Sequence, residues 1–388
     1  MEQQSPSPDG AGQWVCRACV DDRALADIIS AAAETAEVCG FCGKPGAAPL
    51  DVLVDAFVNG VSNEYGDIDG EAVPYDSAEG GYQFVEPKDT WDIVEEFADV
   101  LVGRGLVEAV QGAIPFSFWT EKDWARRRRD EVLRDSWARF SHAVTYETRY
   151  VFWLRRSADD EDAESSGEVP AGRILDHVGA LIDTAGSVRT LPAGTRFWRA
   201  RPHDERGDWG GRDLGTIPST LARQSNRMSP AGIPLFYGAE EQQTAIAEVS
   251  RLDSGFARVT VGQFEISAPC RVIDFTGFPD VPSVFDPDWG GRWREFRFLH
   301  EFVARISQPV EKSMEHIEYV PTQIVTEYLL KIFRGGEVDG ILFRSAVNGE
   351  VDVVLDVPNE RCFDQVPEEA PRKLSLRLVK SSMRTTDL

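Results

Sequence analysis

The sequence predicts an α+β protein: a small four-cysteine knuckle, a mostly helical region after it, and a second half of mixed sheets with flanking helices. Three observations carry that expectation. Two Cys-x-x-Cys pairs stand close together near the N-terminus. Residues 50–156 set apolar side chains at helical spacing. From residue 196 on, short runs rich in Val, Ile, Phe and Tyr alternate with helical stretches.

Cys16-Arg-Ala-Cys19 and Cys39-Gly-Phe-Cys42 are separated by 19 residues. A two-residue gap makes a tight turn that can present both thiolates of a pair to one metal ion, and two pairs complete a tetrahedral set suited to Zn²⁺. Four thiolates leave no open coordination position, so the expected metal is structural. The competing reading is two unrelated reduced pairs with a redox role. Between the pairs, DDRALADIISAAAETAE reads as a helix capped by Asp21 or Asp22, with Leu25, Ile28, Ile29 and Ala32 as its apolar stripe.

The region after the knuckle carries WDIVEEFADVLV (91–102), with Ile93, Val94, Phe97 and Leu101 on one helical face. A second helix is expected over 123–142, with Trp124, Val132 and Trp137 in the core. SADDEDAESSGEV (157–169) is acidic and lacks core-forming residues, so it reads as an exposed linker. The expected organisation is a knuckle over 14–45, a helical domain over 46–156, a linker over 157–170, a second domain over 171–365, and a flexible tail over 366–388.

Charge and composition exclude several function classes. A net charge of −24 opposes nucleic-acid backbones and anionic membranes. The basic run Arg126–Arg129 is flanked by Asp123, Asp130 and Glu131, and reads as a solvated helix face. No run approaches the ~20 apolar residues that span a bilayer, and the first residues lack a secretory pattern. A cytoplasmic protein with no membrane or nucleic-acid partner is expected. Cys270 and Cys362 stand beside strand-like runs as buried small hydrophobes. The chain has five histidines, none in a metal-ligand spacing, and no nucleophile elbow or phosphate loop.

What remains is an ordered set of polar residues on strand-like segments. FWRAR supplies Arg199 and Arg201. A loop with Asn226-Arg227-Met228-Ser229 leads into G-I-P-L-F-Y-G-A (232–239), which holds Tyr237. The helix segment T-A-I-A-E-V (244–249) holds Glu248, and V-D-G-I-L-F-R-S (338–345) ends in Ser345. Further helices are expected near 173–184, 294–307 and 322–334. Thr322 lies near the first turn of the last, as a structural residue, with Gln323 in reach of the same site.

This order resembles the RES domain, a family named for its arginine, glutamate and serine, over roughly residues 190–365. The resemblance implies a fold similar to that of ADP-ribosyltransferases, and toxins that degrade NAD⁺ or transfer ADP-ribose. The chain departs from the family in one loop: Ser-Asn-Arg-Met-Ser stands where many members have Gly-Gly-Arg-Trp-Asn. The N-terminal half looks like the HEPN/RES N-terminal domain found in some RES proteins.

Chemistry points the same way. Breaking the nicotinamide–ribose bond builds positive charge on the ribose. Glu248 is the candidate carboxylate to stabilise it, and Arg199, with Arg227 or Arg201, the fork for the pyrophosphate. Tyr237 would stack on nicotinamide, and Ser345 would bond the ribose or orient Glu248. The expected enzyme is an NAD⁺ glycohydrolase or phosphorylase, with an antitoxin-like or regulatory protein as partner. The alternatives are an ADP-ribosyltransferase acting on a protein and a non-catalytic module that senses NAD. An RNA-cutting HEPN site is disfavoured: Arg134 precedes His142 by seven intervening residues and Arg139 by two, outside the required Arg-x₄₋₆-His spacing.

Overall fold

The computed structural model describes residues 13–154, 169–204, 208–250, 255–308, 310–311, 313–365 and 373–387. Its contacts divide the chain into two units, Met1–Arg129 with Asp280–Arg297, and Asp130–Pro279 with Phe298–Leu388. The division falls after Arg129, the first residue of the helix Arg129–His142, rather than at the acidic stretch near 157. Trp137 and Phe140 of that helix bury themselves against Phe302 and Phe152 in the second unit, which draws the helix there. The expected linker lies, through residue 168, outside the described residues.

In the first unit, β1 (Trp14–Val15), β2 (Glu34–Val38) and β3 (Pro45–Pro49) form a sheet in the order β1-β3-β2. The helix expected over the whole stretch between the cysteine pairs covers only Arg23–Ala32. Asp22 caps it by accepting from the Leu25 N–H at 3.0 Å. The remaining residues enter β2, because the second cysteine pair occupies the turn of a β2–β3 hairpin. Gly43 stands in that turn at φ 73°, where a side chain would be strained.

The helix Leu50–Val61 buries Leu50, Leu53 and Phe57. Phe285, from the Asp280–Arg297 segment of the same unit, stacks on Phe57 at 5.3 Å and meets Phe97 edge-on at 5.6 Å. Gly60 permits this: a Cβ there would lie 2.2 Å from the Phe285 ring. The single helix expected over 91–102 is interrupted. Thr90–Glu96 starts from a capping box of Asp89 and Asp92, and a 3₁₀ turn follows over Ala98–Val100.

The unit is also less helical than predicted. It contains β4 (Tyr65–Asp67), a β5–β6 hairpin (Tyr75–Asp76, Gly81–Tyr82), β7 (Lys88–Asp89) and β8 (Phe118–Glu121). Strands β4, β8 and β7 pair in that order. The helix expected from 123 starts at Arg129, and Trp124 instead stacks on Phe84 in the first unit.

The second unit is built on a nine-stranded sheet in the order β16-β17-β12-β10-β11-β15-β14-β13-β9. Its strands are β9 (Val188–Leu191), β10 (Arg196–His203), β11 (Phe236–Ala239), β12 (Arg258–Ile266), β13 (Cys270–Asp274), β14 (Gly340–Arg344), β15 (Val351–Leu355), β16 (Cys362–Phe363) and β17 (Leu376–Asp387). Neighbours run antiparallel except for β13–β14 and β16–β17. The expected flexible tail is therefore corrected over most of its length. Leu376 and Leu378 are buried, and β17 pairs with β12 from Ile266 back to Arg258, so sheet pairing and burial order a segment whose composition reads as polar.

Alternation along the strands gives the sheet two distinct faces. Phe197, Phe236, Phe264, Leu342, Val353 and Leu355 share one buried cluster with Leu214 and Cys362. Ile341, Phe343 and Val354 join the helical layer of Phe298, Phe302, Val325 and Leu329 on the other, where Tyr237 also packs. On that same face Ala200, Ala239, Val259 and Val261 receive Ala245, Ile246 and Val249 of the helix Gln242–Ser250. Cys270 and Cys362 are fully buried among apolar side chains, as expected of them.

Candidate functional site: a carboxylate cluster on one face of the sheet, and a four-cysteine centre

The helix Gln242–Ser250 presents Thr244 and Glu248 one turn apart, hence on the same side. Both are held by the turn that follows β14. Ser345 Oγ donates to Glu248 Oε1 at 2.5 Å, and Asn348 Nδ2 donates to Thr244 Oγ1 at 2.9 Å. Ser345 in turn accepts from the Val347 N–H at 3.1 Å, which fixes its hydroxyl. The glutamate and serine singled out in the sequence, 97 residues apart, are thus direct partners.

Beside them lies a residue that the sequence reading passed over. Asp352 of β15 stands opposite Ala239 of β11 and Phe343 of β14, so its side chain shares the face of Tyr237. It is only 6% exposed and lies against the Glu248 carboxyl and the Ser345 hydroxyl. Burial and the neighbouring Glu248 charge push its pKa up to about 8. A signal was present: a buried aspartate within the valine-rich strand Val351–Leu355 is costly unless something requires it.

Tyr237 is positioned by the loop before its strand. Its hydroxyl lies 3.0 Å from Ser229 Oγ and accepts from the Met228 N–H at 3.2 Å. Burial pushes the phenol up to about 12, so it stays protonated across the physiological range. Arg227, on the same loop, donates from Nη1 to the Ser307 carbonyl at 2.6 Å and sits over the Tyr319 ring at 5.9 Å. Its charge acts on both Tyr237 and Asp352. Gln323 fastens the loop by donating to the Asn226 carbonyl at 2.8 Å, while Thr322 is buried within its helix.

Arg199 is placed differently. It shares its sheet face with Phe236, not with Tyr237: its guanidinium lies over the Phe236 ring at 5.1 Å. Its Nη1 donates to the Tyr237 carbonyl at 2.6 Å and its Nε to the Leu214 carbonyl at 2.8 Å. Dense protein around it pushes its pKa down to about 10, so it remains charged at neutral pH. Arg201 lies on that face too, donating to the Asp213 carbonyl at 2.6 Å above the Trp209 ring. The structure therefore brings Glu248, Ser345, Tyr237 and Arg227 to one face with Asp352, and sets Arg199 and Arg201 on the opposite face.

The second centre is in the first unit. Sγ of Cys16 and Cys42 are 3.4 Å apart, those of Cys19 and Cys39 3.6 Å, and those of Cys16 and Cys19 4.0 Å. All four lie within 4.8 Å of one another. A tetrahedron with Zn–S bonds of about 2.3 Å has S···S edges of about 3.8 Å, so the four sulfurs could hold such an ion without rearrangement. Burial pushes the Cys16 and Cys19 thiols up, a penalty that a bound cation would remove.

Among the described residues no helix is long and apolar enough to cross a membrane. Family models match two parts of the chain: HEPN/RES N-terminal domain 1 over residues 32–158 and the RES domain over residues 196–378. The second match contains every residue of the carboxylate cluster, and the first contains Cys39 and Cys42 but begins after Cys16 and Cys19. None of the curated proteins compared with the chain matches it. The chain is thus a RES domain protein that carries a HEPN/RES-type N-terminal domain.

Proposed function

We propose that the RES domain binds NAD⁺ and breaks its nicotinamide–ribose bond, with water or phosphate as acceptor, and that the protein acts as a toxin or defence effector. The observation that carries this reading is the Glu248 carboxylate, partly exposed and aligned by the Ser345 hydroxyl, on the face that also holds Tyr237. Cleavage of this bond develops an oxocarbenium-like ribose, which a fixed carboxylate stabilises more than it does the neutral sugar. Ser345 supplies the orientation. Tyr237 offers an aromatic surface and a protonated hydroxyl, and Arg227 is the cation on the same face for the pyrophosphate. Arg199, reaching Tyr237 through its carbonyl, supports the strand from the other face.

The test is mass spectrometry of NAD⁺ products with the full chain, with and without phosphate and protein acceptors. Free nicotinamide with ADP-ribose, or with its phosphorylated form, is expected. Glu248→Gln should lower turnover by roughly 10²–10³ without unfolding the domain. NAD⁺ that binds but is never consumed would leave a sensing module instead. A product linked to protein would make the chain an ADP-ribosyltransferase.

The four-cysteine centre takes a structural role in the same proposal: Cys16, Cys19, Cys39 and Cys42 hold one Zn²⁺ as thiolates. Elemental analysis should find about one zinc per chain, and Cys16→Ser with Cys39→Ser should remove it. Metal binding of this kind contributes about 10 kcal/mol or more to folding a small segment. Chelation should therefore expose residues 13–49 to proteolysis.

A further inference from the structure

Asp352 raises a question that the proposed chemistry leaves open. It is the second residue of β15, opposite Ala239 and Phe343, on a face it shares with Ile341 and Val354. Each element packed around it brings a defined group. The helix Gln242–Ser250 brings Glu248, the turn after β14 brings Ser345, and the 226–229 loop brings the more distant Arg227; β11 sets Ala239 opposite, with Tyr237 further along the same face and its hydroxyl bonded to Ser229 and Met228. Arg227 directs a guanidinium N–H to the Ser307 carbonyl. The Ser345 O–H is spent on Glu248.

Two carboxyl groups in contact, with one hydroxyl already engaged and, among the described residues, no cation hydrogen-bonded to either, do not both ionise; the pair keeps a proton. The proton belongs on the member for which charge is costlier. Asp352 is buried and Glu248 reaches solvent, so the aspartate holds it.

We infer that Asp352 is a positioning residue for Glu248: as a neutral acid it donates a hydrogen bond to the glutamate carboxylate, complementing the one from Ser345. Glu248 is then fixed by two donors, with its remaining lone pairs available to a ligand. Loss of the Asp352 proton would place two negative charges side by side and disrupt that alignment. The inference rests on the reading of Glu248 as the ribose-facing carboxylate.

Two measurements separate the inference from that reading. The first is NAD⁺ turnover by the full chain from about pH 5 to 10. The wild type should lose activity on an alkaline limb near pH 8, where Asp352 ionises. Asp352→Asn keeps a donor but cannot titrate, and should retain most of the neutral-pH rate with the limb gone. Asp352→Val should lose roughly tenfold or more at every pH, as a lost positioning contact does. Superimposable wild-type and Asn profiles would overturn the inference.

The second measurement needs no turnover, and so decides the matter even if the chain proves inert toward NAD⁺. The folded-state pKa of Asp352 is raised above the ordinary 3.8, so the folded chain holds this proton more tightly than the unfolded one. Its contribution to stability is fully present below the unfolded value and is lost as pH rises through about 8. Urea midpoints across this window should fall with pH in the wild type and fall less in Asp352→Asn. Glu248→Gln, which removes the neighbouring charge, should shift the fall to lower pH. Equal slopes in all three proteins would exclude a shared proton.

Discussion

Phe236 and Tyr237 are adjacent in β11, yet their two sides of the sheet handle buried charge in different ways. On the Phe236 side, Arg199 gives two N–H groups to the Leu214 and Tyr237 carbonyls and rests on an aromatic ring. Its partners are backbone, fixed by the fold itself. On the Tyr237 side, Glu248, Asp352 and Ser345 depend on one another, in an arrangement that a single proton can alter. A cation satisfied by backbone acts as scaffold. Carboxyls satisfied only by side chains keep capacity for a ligand and respond to pH. Under the proposed function this difference gives supporting work to one face and chemistry to the other, although sequence order gives the arginine and the glutamate equal standing.

The most severe way to break this contrast is to remove Arg199. Arg199→Met would keep much of the packing but leave two carbonyls without their donors, at a cost of about 2–4 kcal/mol in unfolding free energy. Arg199→Lys should recover only part of it, because an ammonium cannot reproduce two directed bonds and ring stacking together. Denaturant unfolding measures both. If Arg199→Met left stability unchanged and abolished NAD⁺ binding, the arginine would be a ligand group and the two faces would not differ as described.

How legible this was from sequence depends on the range over which each feature is encoded. The cysteine pairs were readable because metal coordination depends on local turns: Cys16 to Cys19 and Cys39 to Cys42 each set their own geometry. Between them the structure departs from the expected continuous helix, since Glu34–Val38 becomes a strand only through pairing with β3. The same cause hid β17, whose polar outer positions conceal a strand completed by β12. At the candidate site, residue order indicated that Glu248 and Ser345 belong together, and the structure makes them hydrogen-bond partners. Order along the chain carries no information about which side of a sheet a residue faces, which depends on register and alternation. Sequence order therefore groups Arg199 with Glu248 although they face opposite sides, and Asp352, within a valine-rich run, stands outside that order.

A milder substitution sharpens the contrast from the other side of β11. Tyr237→Phe keeps the ring on its helical layer and removes the hydroxyl that meets Ser229 and the Met228 N–H. With two neutral hydrogen bonds at stake and some replacement by water, the cost should be about 1 kcal/mol, below that of Arg199→Met. Its effect should be concentrated in the 226–229 loop, the segment that carries Arg227. If the ring alone contacts NAD⁺, the Phe variant should bind nearly as well as the wild type, whereas Tyr237→Ala should not. Calorimetric titration of NAD⁺ into both variants measures this. Equal loss in the two would shift Tyr237's contribution from its ring to its hydroxyl, and with it to the loop that the hydroxyl anchors.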